Sequence, residues 1–324
     1  MDASPASCSS PPLQGEALWT LLRGPESGAV LRREGEALVG PGGERWPIVR
    51  GIPRFVPGDQ YVGSFSFEWN THKTTQLDMH TGSSSSAEAL TEKTGLRPQD
   101  VRGKLVLDAG VGAGRFSDVL SRWGASVVGI DLSFAVEAAR ENLAGRPNAL
   151  VAQADIFKLP FAPATFDLII SIGVLHHTPD TRAAFERLVP LLKPGGEICI
   201  WVYSPSPHYL LRQEWVPFVR RIPPEWFHAW CRWFVPMVKS RPRNPLVRYG
   251  FQLFEWSTQE LGIENDILDT FDGYSPYYHW VHGTEEAVRW FQEAGLQDVR
   301  AFPFETAVRG RKPEGTGAAP SSPR

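Results

Sequence analysis

Apolar and polar positions change period along this chain. From about residue 100, short blocks rich in Val, Ile and Leu alternate with longer amphipathic stretches, the pattern of strands joined by crossover helices. One block, Val106-Leu107, ends in Asp108; the next, over 126–130, ends in Asp131; a third, over 149–153, leads to Asp155. Blocks at 166–172 and 197–202 follow, and 299–304 with 307–311 reads as a closing antiparallel hairpin. Helices are predicted over 87–94, 116–123 and 284–293, with others after Asp131 and after His177. Ser133 can accept an orphan amide of the helix behind Asp131. Thr284 is placed to cap the last helix, with Glu285 and Glu286 in its first turn and Gly295 past its end.

The fold class expected is α/β, a Rossmann-like seven-stranded sheet with helices on both faces. The pattern divides the chain into a disordered leader (1–12), a small β-rich module (13–58), a linker and helix that cover the site (59–99), the core (100–205), a helical lid insertion (206–283), the last core helix and hairpin (284–312) and a disordered tail (313–324). In the insertion, Trp226, Trp230, Trp233 and Phe234 fall at i, i+4, i+7 and i+8, one wide helical face. Three readings fit that face: a lid packed on the core, a wall of an acceptor pocket, or, with the many arginines of 206–250, a surface resting on an anionic membrane.

Composition changes this picture little. A hydrophobic content of 42%, a net charge of −3 and no long apolar run describe a globular chain without a charge drive toward nucleic acid, and no nucleic-acid partner is expected. Cys8, Cys199 and Cys231 match neither a disulfide framework nor a zinc site. With no secretory signal design at the N-terminus, a cytoplasmic location is expected.

The chemistry concentrates in Asp108-Ala109-Gly110-Val111-Gly112-Ala113-Gly114. Glycine is required where a backbone takes positive φ or must approach a ligand closely, and the helix that follows aims its first amides at the same place. An acid before the first glycine disfavours a pyrophosphate and favours a ligand with a cationic end. Asp131 fits the ribose of a nicotinamide or an adenosyl cofactor equally well. The ordered series Asp108-x-Gly-x-Gly-x-Gly, Asp131, Asp155-Ile156, Leu159-Pro160-Phe161, the block 166–172, His176-His177 and Leu192-Lys193-Pro194-Gly195-Gly196 resembles the class I S-adenosylmethionine-dependent methyltransferases, in the branch that includes ubiquinone and menaquinone biosynthesis. That resemblance spans 100–205 and returns at 284–312. It implies S-adenosylmethionine as cofactor, with Gly110, Gly112 and Gly114 against its methionine part and Asp108 near its ammonium group. It places Asp131 on the ribose hydroxyls, Asp155 on the adenine amino group, Ile156 on the ring face or with its N–H on a ring nitrogen, and Ser171 beneath the sulfonium. The segment 46–57 resembles the zinc-ribbon-like segment fused ahead of some bacterial methyltransferases, here without the paired cysteines, so no metal is expected.

On the acceptor side, His176 and His177 follow the fourth core strand and are candidate catalytic bases, or loop residues held for structure. Tyr274, Tyr278, His279 and His282 are candidate substrate-lining residues. Phe65, Trp69 and His72 either line the site or dock the N-terminal module. The expected activity is methyl transfer to a small or lipid-like metabolite, at oxygen, with nitrogen or carbon as alternatives. An RNA- or protein-modifying enzyme and a non-catalytic cofactor-binding protein are the competing readings.

Overall fold

The computed structural model describes residues 11–58, 60–205, 215–239 and 262–314. Nearly all of the expected leader and tail lies outside them, as do Cys8 and the basic residues Arg212, Arg241, Arg243 and Arg248. Four short strands, β1 (Arg32–Glu34), β2 (Ala37–Val39), β3 (Arg45–Val49) and β4 (Ile52–Pro53), form an antiparallel meander. The core strands are β5 (Leu105–Ala109), β6 (Ser126–Asp131), β7 (Ala149–Gln153), β8 (Phe166–Ile172), β9 (Leu192–Val202), β10 (Gln297–Phe302) and β11 (Thr306–Arg311). They make the expected seven-stranded sheet, in the order β10-β11-β9-β8-β5-β6-β7, with β11 antiparallel to β9 and to β10 and the other pairs parallel.

Alternate residues of the central strands feed two separate cores, because successive side chains leave opposite faces of a strand. Leu107, Ile169 and Ile198 pack with Phe185 and Phe291 on one face. Val106, Leu168, Ile170 and Cys199 pack with Leu90, Val119 and Leu120 on the other. The predicted helices appear as Ser85–Thr94, Arg115–Arg122 and Thr284–Glu293. Strand β9 begins before residue 197, because Lys193-Pro194-Gly195-Gly196 forms an irregularity inside it: Phe166 pairs with Leu192, but Leu168 pairs with Glu197. Gly195 sits there at φ 76°. Thr284 is not the cap of the last helix. Gly283 holds that position, and the Thr284 hydroxyl donates to Glu305 O at 3.4 Å.

The N-terminal module docks on β7. Phe55 N donates to Gln153 O at 2.8 Å, Arg54 forms a parallel bridge with Gln153, and its buried guanidinium reaches Gln153 Oε1 (3.1 Å) and Glu137 (2.9 Å). Nothing in the meander supports the likeness to a zinc ribbon, and among the described residues no cluster of side chains could hold a metal ion.

The insertion contributes the helices Val216–Val219, Pro224–Lys239 and Ile263–Tyr274, with a small core of their own. Of the four residues read as one face only Phe234 is buried, so the reading of that face as a lid packed on the core does not hold for its tryptophans. The buried stripe of Pro224–Lys239 is Phe227, Cys231, Phe234, Val235 and Val238, against Ile267, Phe271 and Tyr274. Trp226, Trp230 and Trp233 are 74%, 38% and 62% exposed. Both stripes are apolar, so periodicity alone does not choose between them; the stripe of smaller side chains is the one that packs against the neighbouring helix. No described helix is long and apolar enough to cross a membrane.

Candidate functional site

A cavity of about 250 Å³ opens over the C-terminal ends of β5 to β9. Its centre lies where strand order reverses between β5 and β8, the place where open α/β sheets receive ligands. The glycine turn forms one wall. Gly110 N and Val111 N both donate to Ile130 O at 2.8 Å, which ties the turn to the end of β6. Gly110, Gly112 and Gly114 have φ values of 97°, 50° and 89°. A Cβ on Gly110 would fall inside the Val174 side chain, and one on Gly112 would touch the Trp69 indole at 3.5 Å.

Asp131 accepts from Gly112 N (3.0 Å), Ser133 N (2.9 Å) and Ser133 Oγ (2.7 Å). Ser133 Oγ in turn accepts from Ala135 N at 3.2 Å. Asp155 accepts from Phe157 N at 2.9 Å, and it lines the cavity with Asp131, Ile156, Gly110 and Gly112.

Three residues expected at the cofactor stand behind that wall. The Asp108 carboxylate is buried and accepts from Ser117 Oγ at 2.7 Å, so it faces the start of Arg115–Arg122 and not the cavity. Burial pushes its pKa up to about 7. Gly114 packs against Leu143 and Ala139. Ser171 Oγ donates to Ala109 O at 2.7 Å, cross-linking β8 to β5.

The two adjacent histidines separate. His176 is fully buried outside the cavity, neither ring nitrogen has a hydrogen-bond partner among the described residues, and its ring lies 4.0 Å from those of His177 and Tyr203. Burial holds it neutral, with a pKa well below the histidine range. His177 lines the cavity. Its Nδ1 lies 2.9 Å from Tyr278 O; a carbonyl only accepts, so Nδ1 carries the proton and Nε2 keeps its lone pair. Burial lowers this pKa too, against the nearby Asp272 carboxylate.

None of Tyr274, Tyr278, His279 and His282 lines the cavity. Tyr274 is buried in the insertion's core. Tyr278 contributes its carbonyl to His177 and its ring edge to Tyr61. His279 packs on the rings of His176, His177 and Tyr203. His282 bridges Glu286 (3.0 Å) and Thr181 (2.9 Å) in a separate shallow depression. Phe65 and Trp69, from the helix Gly63–Thr71, do line the cavity, whereas His72 pairs with His228 at 2.8 Å outside it.

Of the other lining residues, Asp269 and Asp272 belong to the Asp/Tyr/His cluster that the sequence offers as substrate-facing, whereas Glu68, Lys93 and Arg115 escape it. Glu68 is 1% exposed, and neither carboxylate oxygen has a hydrogen-bond partner among the described residues. Burial, then Asp272 and Asp269, lifts its pKa well above the carboxylate range. Asp272 accepts from Tyr203 OH at 2.8 Å, and Asp269 is pushed up to about 8 by burial and by Asp272. Arg115 donates to Gln76 (2.9 Å) and Ser86 (3.1 Å) and leaves Nη2 buried without a partner among the described residues. Lys93 lies over the Trp201 and Phe304 rings at 4.1 and 3.3 Å.

These groups set a pH dependence. A carboxyl whose pKa is raised by folding keeps its proton in the folded state, so its contribution to stability is lost as pH rises through the folded pKa. Asp108 at about 7 and Asp269 at about 8 act in this sense. The histidines with lowered pKa (His72 at about 4, His176, His177) act oppositely: their contribution is present above the unfolded histidine pKa of 6.5 and is lost as pH falls from there toward the folded value. The ligand-free protein is therefore expected to melt at a lower temperature at pH 8.5 than at pH 6.5, and Asp269→Asn to flatten part of that slope. Calorimetric scans at the two pH values decide it; a midpoint that rises with pH would be the contrary result.

Residues 107–200 match the family model described as a methyltransferase domain. This segment is a methyltransferase domain. The methyl donor of such a domain is S-adenosylmethionine. Among curated proteins, the chain is similar to a demethylmenaquinone methyltransferase of Clavibacter sepedonicus, 35% identical over 126 residues, which are 38% of this chain and 51% of that protein. A ubiquinone biosynthesis O-methyltransferase of Paracidovorax citrulli is 35% identical over 113 residues, 34% of this chain and 45% of that one. The chain thus spans about half the length of the curated relatives it matches. Among solved structures, a putative sarcosine dimethylglycine methyltransferase from Galdieria sulphuraria is 26% identical over 36% of this chain and 43% of its own, with a TM-score of 0.30.

Proposed function

We propose that this protein transfers a methyl group from S-adenosylmethionine to a hydroxyl of a small or lipid-like metabolite. One observation carries the reading: the glycine turn, Asp131 and Asp155 share a single cavity with His177, whose Nε2 is left as a proton acceptor. The residues present fit the donor. Asp131 would take the ribose hydroxyls, Asp155 the adenine amino group, Ile156 the flat face of the base, and the backbone of Gly110 and Gly112 the methionine part. The orphaned Nη2 of Arg115 suits the donor's carboxylate. When bound, the donor supplies an electrophilic methyl group on a sulfonium.

The protein's own work is to align the partners, exclude water and move one proton. A hydroxyl must lose its proton to attack, and His177 Nε2 is the acceptor for it. His176, sealed behind His177, takes no part in the transfer. Two named relatives belong to quinone biosynthesis, and one of them is an O-methyltransferase. What this cavity leaves beside the donor is a concave recess, which suits a small acceptor or the head of a lipid better than a folded protein.

Incubating the protein with methyl-labelled S-adenosylmethionine and cell extract tests the reading. Label is expected in an organic-soluble or small polar product whose new methyl group sits on oxygen. Label in RNA or protein would favour the macromolecular alternative, and none at all, despite tight donor binding, the non-catalytic one. Asp131→Ala is expected to weaken S-adenosylhomocysteine by about 1.5–3 kcal/mol, ten- to a hundredfold, if its hydrogen bonds to ribose are charge-assisted. Titration calorimetry checks this, and an unchanged dissociation constant removes Asp131 from that role.

A further inference from the structure

We infer that the outer surface of residues 215–239 docks on an anionic lipid membrane, with its tryptophans at the level of the headgroups. The inference extends the lipid-like acceptor proposed above, but it rests on the shape and charge of this surface. Trp226, Trp230 and Trp233 form one stripe along Pro224–Lys239, and the preceding turn adds exposed Trp215, Phe218 and Ile222. The adjoining stripe of the same helix packs on Ile263–Tyr274, Trp230 stacks on Phe227 and Phe234 at the border between the two, and Trp226 and Trp233 stay exposed. Large contiguous apolar surfaces are rare on soluble monomers and mark contact with a partner or a membrane.

Chemistry selects the membrane. Four of the six exposed apolar side chains are tryptophan, whose ring combines an apolar body with an N–H donor and concentrates at the lipid–water boundary. Residues 215–239 carry Arg220, Arg221, Arg232 and Lys239 against the single carboxylate of Glu225, in a chain whose net charge is −3. Arg232 and Lys239 also meet Glu264 (3.1 Å) and Asp266 (2.6 Å) at the flank facing the neighbouring helix. That leaves Arg221, and Arg220 beside Tyr277 O, to lay their apolar stems along the surface and keep their charge at the level of the phosphates. A 16-residue helix, roughly 24 Å long, lies in the membrane plane in this arrangement. The helix beneath it supplies Leu268, Asp269 and Asp272 to the cavity, so the docked surface stands one helix layer from the reacting space.

Flotation of the intact protein with vesicles of phosphatidylcholine alone, or mixed with phosphatidylglycerol, tests the inference. At low salt the protein is expected to rise with the anionic vesicles, with a blue shift of its tryptophan emission, and to stay down with the neutral ones. Trp226→Ser, Trp230→Ser and Trp233→Ser together are expected to reduce the bound fraction at least about tenfold while S-adenosylhomocysteine affinity is kept. Three results would overturn it: wild type remaining at the bottom of the gradient, a triple variant that floats as well as wild type, or lipid-free dimerisation lost with the same substitutions, which would assign the face to a second copy. Flotation does not depend on methyl transfer. A protein that floats but methylates no lipid leaves docking standing and removes the lipid-like acceptor.

Discussion

Replacing His177 by alanine is expected to lower the maximal rate of methyl transfer by about 10²–10⁴-fold, with S-adenosylhomocysteine affinity nearly unchanged. The expectation follows from one hydrogen bond. With Nδ1–H committed to Tyr278 O, the ring has a fixed tautomer and orientation, and Nε2 is its sole basic atom. The depressed pKa keeps that atom unprotonated at neutral pH, so the acid limb of the rate profile should lie below the ordinary histidine range. A base removes a proton and does not hold the donor, so the loss belongs in kcat and not in donor binding. His176→Ala is the internal control: it should change stability and leave the rate per folded molecule close to wild type. Equal rates for wild type and His177→Ala, measured on the labelled acceptor, would remove the histidine from the reaction.

Gly110→Ala is expected to cost about 2–5 kcal/mol of stability and to abolish measurable donor binding. Two physical terms add. A φ of 97° lies where a Cβ collides with its own backbone, at about 1–2 kcal/mol. The new methyl would also enter the Val174 side chain, an overpacking that costs about 1–3 kcal/mol. The terms can be separated because only the second involves a neighbour. Val174→Ala in the same chain removes Cγ1 and Cγ2 but leaves a Cβ at 2.8 Å, so it should restore much of the packing part and leave the backbone part, a coupling that a double-mutant cycle measures. Thermal melts of the two single variants and the double variant provide the test. Strictly additive effects would show that Val174 is not what fixes glycine at this position.

Much of the core was legible because its signals are local. Each core strand is an apolar block ended by a turn, and the acids that reach the cavity, Asp131 and Asp155, sit directly after such blocks. The sites that eluded the sequence depend on direction or on distance. Asp108 and Ser171 occupy the expected strands, but their side chains bond to Ser117 and Ala109 within the fold. Tyr278 stands beside His177 and uses its carbonyl, a contribution that residue type does not announce. Glu68, Lys93 and Arg115 come from three separate segments and line one cavity only when the covering helices close over the sheet. The direction of the tryptophan stripe of Pro224–Lys239 stays open in the sequence because two apolar stripes share one helix, and only the neighbouring helix decides between them.

The docking of the N-terminal meander on β7 also bears on how the protein avoids aggregation. A strand at the end of a sheet is a template on which another chain can grow. At the other end, β10 is defended by its own sequence: a bulge between Gln297 and Arg300, with Asp298 at φ 52°, breaks its regularity, and Gln297, Asp298 and Arg300 are exposed. Strand β7 has no such defence, since Leu150, Val151 and Ala152 are buried and apolar. Its Gln153 end is capped by Phe55 and Arg54. The small module thus acts as a stopper for the sticky end of the sheet, and a catalytic core expressed without it would be prone to stack, edge to edge, on copies of itself.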